Sequence, residues 1–150
     1  MSDIKEQLHA LCVAYVQNRM HAAEQAIAGA QQSANDDTKS SAGDKYETGR
    51  EMAQQETNRN LGQLNEANKL MVALNRISTK NTSAKAGAGS LVITNNGNFY
   101  IAISAGNLVL NGQNYFAVSP VSPIGLKLTS RLSGDEFILN GKTYQISAVL

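Results

Sequence analysis

Residues 2–34, SDIKEQLHALCVAYVQNRMHAAEQAIAGAQQSA, decide the fold. Val13, Val16, Met20, Ala23, Ile27, Ala30 and Ala34 recur at alternating three- and four-residue spacing, which is a heptad seam. A neighbouring stripe of Ile4, Leu8, Leu11 and Tyr15 precedes it. Asp3 and Glu6 oppose the positive end of the helix dipole, so the helix is predicted to start near Ser2 or Asp3. At 1.5 Å per residue such a helix is about 45 Å long, too long for a small domain to leave without a partner. Tyr46, Gly49, Ala53, Leu61, Leu64, Met71, Leu74 and Ile77, with Leu70 alongside, supply the partner stripe. The two predict a long antiparallel helical hairpin with coiled-coil packing. Between them NDDTKSSAGD (residues 35–44) reads as the tip. Ala23, Ala30, Ala34, Gly49 and Ala53 are small and bury little area, so the distal hairpin is expected to be slim and marginally stable.

Beyond Ile77 the pattern changes. STKNTSAKAGAG (residues 78–89) is linker chemistry, and then LVIT, FYIAIS, LVL, YFAVS, FIL and TYQISAV alternate apolar and polar residues as strands do. Asn111-Gly112 and Asn140-Gly141 each stand between two such runs and predict type I′ hairpins; Asn96-Gly97 is a third candidate turn. Ser122 followed by Pro123 predicts an N-cap with proline at the first position of a short helix. The fold class is α+β: a helical hairpin over residues 1–79, a linker over 80–88, and a small antiparallel β domain with one short helix over 89–150.

Composition narrows the function. The chain has 150 residues, 42% of them hydrophobic, and a formal charge of +1. It therefore lacks the basic excess that drives non-specific binding to nucleic acid, and no sequence-specific nucleic-acid contact is expected. Cys12 is the single cysteine, which forbids an internal disulfide. No signal sequence or membrane span is legible, so the expectation is a soluble cytoplasmic protein, monomeric rather than dimeric. A twelve-residue calcium loop over 36–47 fails on Thr38, Ser40 and Ser41 at ligand and glycine positions. His9 and His21 read as surface or seam residues, and Cys12, beside Leu11 and Val13, as buried rather than nucleophilic. Gly87 and Gly89 form only a bare GxG.

The hairpin, the linker and the closing Ser122, Pro123, Ile124, Leu128, Gly134 and Asp135 together resemble the bacterial Gre transcript-cleavage factor family. GSLV (residues 89–92), AIAGA (residues 26–30), Tyr46 and Arg50-Glu51 extend the resemblance over nearly the whole chain. It implies an FKBP-like C-terminal domain that docks on bacterial RNA polymerase and a hairpin that enters the secondary channel. Tip carboxylates would there help hold a second Mg²⁺ and its water at the polymerase active site, promoting hydrolysis of backtracked RNA. Mg²⁺ prefers hard oxygen ligands and lowers the pKa of bound water, so a carboxylate on a narrow rod can complete such a site. The family tip carries an Asp three residues before a Glu. Here the tip is about four residues longer, and the family Glu falls on Ala42. Asp37 with Asp44 are the pair the resemblance then assigns to catalysis, with Asp36 and Glu47 as further metal ligands. Lys127, Arg131 and Lys142, with Ser122, Pro123 and Ile124, are the expected partner-binding residues, because charge in the β half is sparse. The protein would have no cofactor of its own beyond Mg²⁺ shared with the polymerase. The competing expectations are a non-cleaving polymerase regulator and a coiled-coil adaptor. The chain is too short and lacks the residues for a 3-oxoacyl-carrier-protein synthase, and without tryptophan it does not suit an FKBP-type prolyl isomerase pocket.

Overall fold

The structure is a computed structural model that describes residues 2–40, 44–79 and 84–150, with side chains described over 4–32 and from 51 onward. It is α+β: a pair of long helices, α1 (Ser2–Ser40) and α2 (Asp44–Asn75), precedes a six-stranded mixed sheet. The strands are β1 (Leu91–Thr94), β2 (Gly97–Ile101), β3 (Gly106–Leu110), β4 (Gln113–Val118), β5 (Glu136–Leu139) and β6 (Lys142–Val149), with α3 (Pro123–Leu128) between β4 and β5. Two compact units result: Val16–Leu70, and Met1–Tyr15 together with Met71–Leu150.

In the first unit α1 buries Val16, Ala23 and Ala30, and half-buries Met20 and Ile27. The facing stripe on α2 is Ala53, Thr57, Asn60, Leu64 and Ala67 at the same heptad spacing. The unit holds no other element, so each helix covers the other's stripe. This corrects the stripe read from sequence: Leu61 is 42% exposed, and the polar Thr57 and Asn60 take seam positions instead. Spacing decides the face, and Leu61 lies one residue off it. Asn60 Nδ2 is buried without a hydrogen-bond partner, an arrangement that costs about 1–3 kcal/mol. Ala34, Tyr46 and Gly49 lie outside the described side chains.

The expected tip is also corrected. α1 runs through Asp36 and Asp37 to Ser40, and α2 resumes at Asp44. Asp, Thr, Lys and Ser each cost a helix interior only about 0.5 kcal/mol, and extending an existing helix avoids a second nucleation. Residues 35–40 contain no proline or glycine to stop it.

The sheet order is β3-β4-β2-β1-β6-β5. All neighbours are antiparallel except β2 and β4, which run parallel with Phe99 opposite Phe116. The antiparallel sheet expected from sequence is therefore mixed. After β2 the chain turns back at the edge as β3, and the β3–β4 hairpin returns β4 in the direction of β2. Asn111 and Asn140 adopt φ of 52° and 53°, as type I′ hairpins require. The β1–β2 turn is different: only Gly97 is left-handed, and Thr94 Oγ1 donates to the Gly97 carbonyl.

One sheet face carries Val92, Phe99, Ile101, Phe137 and Ile146, packed with Leu128 of α3 and Ala86. Ala86 lies in the expected linker, yet its N–H donates to the Arg131 carbonyl and its carbonyl accepts from Ser130. An aromatic row crosses this face: Phe137 stacks on Tyr144 at 5.0 Å, Tyr144 meets Phe99 edge-on, and Phe99 meets Phe116. Phe116 is 40% exposed at the end of that row.

α3 starts as the sequence predicts. Ser122 Oγ accepts the Gly125 N–H at 3.1 Å and donates to the Ser119 carbonyl at 2.6 Å, with Pro123 in the first turn. Gly125 is required by space, because a Cβ there would run into the Ser119 carbonyl. Gly125→Ala is expected to lower the stability of the β-containing unit by about 2 kcal/mol or more in urea unfolding. Gly62→Ala, on open helix surface, should stabilise by up to about 1 kcal/mol.

Candidate functional site

Two clusters of polar residues have described geometry, and both belong to the β-containing unit. The first lies where α3 meets the β5 edge. Lys127 and Arg131 line a groove of about 560 Å³ with Glu136, Phe137, Ile138 and Thr143. Arg131 is held in place: its Nε donates to the Lys127 carbonyl at 2.9 Å, and its guanidinium lies 5.7 Å from the centre of the Phe137 ring. Such cation–π packing fixes a charge without neutralising it. Lys142 pairs with Leu139 at the far end of the β5–β6 hairpin and does not line the groove. Ser122 spends its hydroxyl on the helix cap, Ile124 packs against the core, and Pro123 is exposed. Of the residues read as partner-binding, the structure thus gathers Lys127 and Arg131. Glu136 and the exposed Ile138 are additions that the sequence signals only through their place on an edge strand.

The second cluster joins α1 to the opposite face of the sheet. Lys5, His9 and Cys12 are spaced four and three apart, on one helix face, and Tyr100 projects from β2 away from Phe99 and Ile101. Tyr100 and Cys12 are fully buried, and His9 Nδ1 lies 3.2 Å from the Tyr100 hydroxyl. Burial, and after it the neighbouring Cys12, push the Tyr100 phenol up, so it stays protonated. The phenol hydroxyl and the His9 ring are hydrogen-bond partners, and the His9 tautomer decides which of them donates. Burial also lowers the His9 and Lys5 pKa values and pushes the Cys12 thiol up to about 11. The buried thiol fits the inert reading of Cys12. His9, expected as an ordinary surface or seam residue, is instead a tie between helix and sheet; His21 is exposed.

The tip carboxylates lie outside the described side chains, and the backbone alone places them. Asp36 and Asp37 fall near the C-terminal end of α1, Asp44 opens α2, and Glu47 follows one turn later. A helix N-terminus favours carboxylates and a C-terminus disfavours them, by about 0.3–1 kcal/mol each. Helix stabilisation therefore accounts for Asp44 and Glu47 and not for Asp36 or Asp37. Among the described residues no group of three or more His, Cys, Asp or Glu could hold a metal ion. No described helix is long and apolar enough to cross a membrane. In comparisons with known proteins, no family model and no curated protein matches this chain.

The burial of His9 sets a pH dependence. Because the folded His9 pKa lies below its unfolded value, the unfolded chain takes up a proton first as pH falls through about 6.5. The stabilisation is then complete above that pH and is lost as pH falls through the folded pKa. Unfolding midpoints should drop between about pH 7 and pH 5, and His9→Gln should flatten that slope.

Proposed function

We propose that this chain is a transcription elongation factor-like protein that binds bacterial RNA polymerase, with the helix pair entering the secondary channel as a coiled-coil hairpin. The single observation that carries this reading is the helix pair itself. α1 has 39 residues and α2 has 32, lengths of about 58 and 48 Å at 1.5 Å per residue. Ala23, Ala30, Ala53 and Ala67 are spaced along their seam, and such small side chains keep helices close and the rod narrow. The order of a long helix pair and then a small sheet, with a short helix opened by Ser122-Pro123-Ile124, supports an FKBP-like C-terminal domain. The groove holding Lys127 and Arg131 is its docking candidate.

In this reading the carboxylates flanking residues 41–43 act on the polymerase and not on a centre of this protein. Asp44 and Glu47 are one turn apart on α2 and share a helix face, while Asp36 and Asp37 supply oxygen from the end of α1. Mg²⁺ held between such oxygens and the polymerase would supply a water of lowered pKa. Asp37 with Asp44 is the pair assigned to that contact. The non-cleaving regulator is the second reading, favoured by Ala42 at the position where the family has its Glu. An adaptor without catalytic role is a third, and it requires no polymerase contact.

Purified polymerase stalled on a backtracked template separates them. Added protein should accelerate RNA shortening, and Asp37→Asn or Asp44→Asn should each reduce that acceleration by about tenfold or more, with binding unchanged. Binding with slower nucleotide addition and no shortening would assign the regulator. No binding at all would leave the adaptor.

A further inference from the structure

β3 closes one end of the sheet, and its two sides differ. One side pairs with β4 in unbroken register from Gly106 opposite Ala117 to Leu110 opposite Gln113. No strand lies on the other. An unpaired edge presents backbone N–H and C=O groups to any extended chain, and folded proteins ordinarily guard it with charge, proline, a bulge or a covering helix. β5, at the opposite end, is guarded: it carries Glu136, Arg131 lies over its Phe137, and α3 packs against it. Among the described residues β3 itself carries no charge, proline or bulge. No charged residue stands between Lys85 and Lys127, no proline between Lys85 and Pro120, and the β3–β4 ladder has no register shift.

The edge also carries apolar surface. Val109 is 60% exposed on β3, and Phe116, on the same sheet face of β4, is 40% exposed. Their partners across the ladder are Asn114 and Asn107, so Val109 and Phe116 are diagonal neighbours. The Phe116 ring packs on Phe99.

We propose that β3 is a self-association edge, across which two copies of this chain pair β3 to β3, antiparallel about a two-fold axis. The occupant is a second copy for three reasons. An antiparallel pair of identical strands is its own complement, with each contact made twice. Such a pair sets Val109 of one copy beside Asn107 of the other and Asn107 beside Val109, covering the exposed valine of both copies at once. Finally, an edge without charge neither repels its own copy nor attracts a charged partner, and a net charge of +1 adds little long-range repulsion. One strand pair with two flanking side chains per copy buries less than the roughly 1,200 Å² of a standard stable interface. The dimer is accordingly weak and concentration-dependent, a departure from the monomer expected from sequence. The groove holding Lys127 and Arg131 lies at the other end of the sheet and stays uncovered, so this inference does not depend on the proposed function.

Sedimentation velocity on the full chain, from about 10 µM to about 1 mM, tests it. The wild type should shift toward dimer with concentration, and the shift should not weaken in raised salt. Val109→Lys, and independently Asn107→Lys, should lower the association constant about tenfold or more while the far-ultraviolet spectrum is kept. Ile138→Lys makes the same change at a 64% exposed site on the guarded edge and should leave association within about twofold. A wild type that stays monomeric at about 1 mM overturns the proposal and leaves the edge to an extended segment of another protein. Loss of association in Ile138→Lys equal to that in Val109→Lys, or dissociation by salt, overturns it as well.

Discussion

Phe99, Tyr100 and Ile101 project alternately to opposite faces of β2, and all three are buried. A central strand with apolar side chains on both faces cannot leave either face to water, because each such side chain loses about 1.5–3 kcal/mol of burial if exposed. The rest of the β-containing unit answers that demand. α3, locked by the Ser122 cap and the Gly125 contact, brings Leu128 against Phe99 and Ile101. The first turns of α1 serve the Tyr100 face through the His9 bond. Gly89 permits the chain leaving α2 to pass close by, since a Cβ there would meet Ile77 and the Ser78 carbonyl at 2.9 Å.

The distal helix pair is held by weaker forces. Ala23, Ala30, Ala53 and Ala67 offer about one methyl each, and Thr57 and Asn60 bring polar atoms into the seam. Such a seam favours slenderness over stability.

Much of this was legible in the sequence, and the reasons differ by element. The heptad spacing of Val16, Met20, Ala23, Ile27 and Ala30 named the buried face of α1 because helix periodicity is local. The Asn-Gly turns and the Ser122-Pro123 cap were equally local, each written in two adjacent residues. The seam roles of Thr57 and Asn60 were not, since hydropathy alone prefers Leu61, and only the partner helix decides the face. The parallel β2–β4 pair and the His9–Tyr100 bond join residues far apart in sequence, which no spacing rule records. The motif behind the Gre resemblance has structural work to do: Ser122 caps, Leu128 fills the core, and the Asp135 carboxylate accepts the Leu132 N–H. Those residues report on architecture, and the resemblance is weakest at the carboxylates near residues 41–43.

β2 and the beginning of α1 form one cooperative unit, while the helix pair over residues 16–70 is held more weakly. Native-state hydrogen exchange of the full chain in low denaturant tests it directly. Amides over residues 5–15 of α1 should open together with those of β1 and β2, at a free energy near that of global unfolding, while residues 16–32 and 51–70 open at distinctly lower free energy. Uniform protection along the whole of α1, or a sheet that opens before the helix pair, would contradict the account.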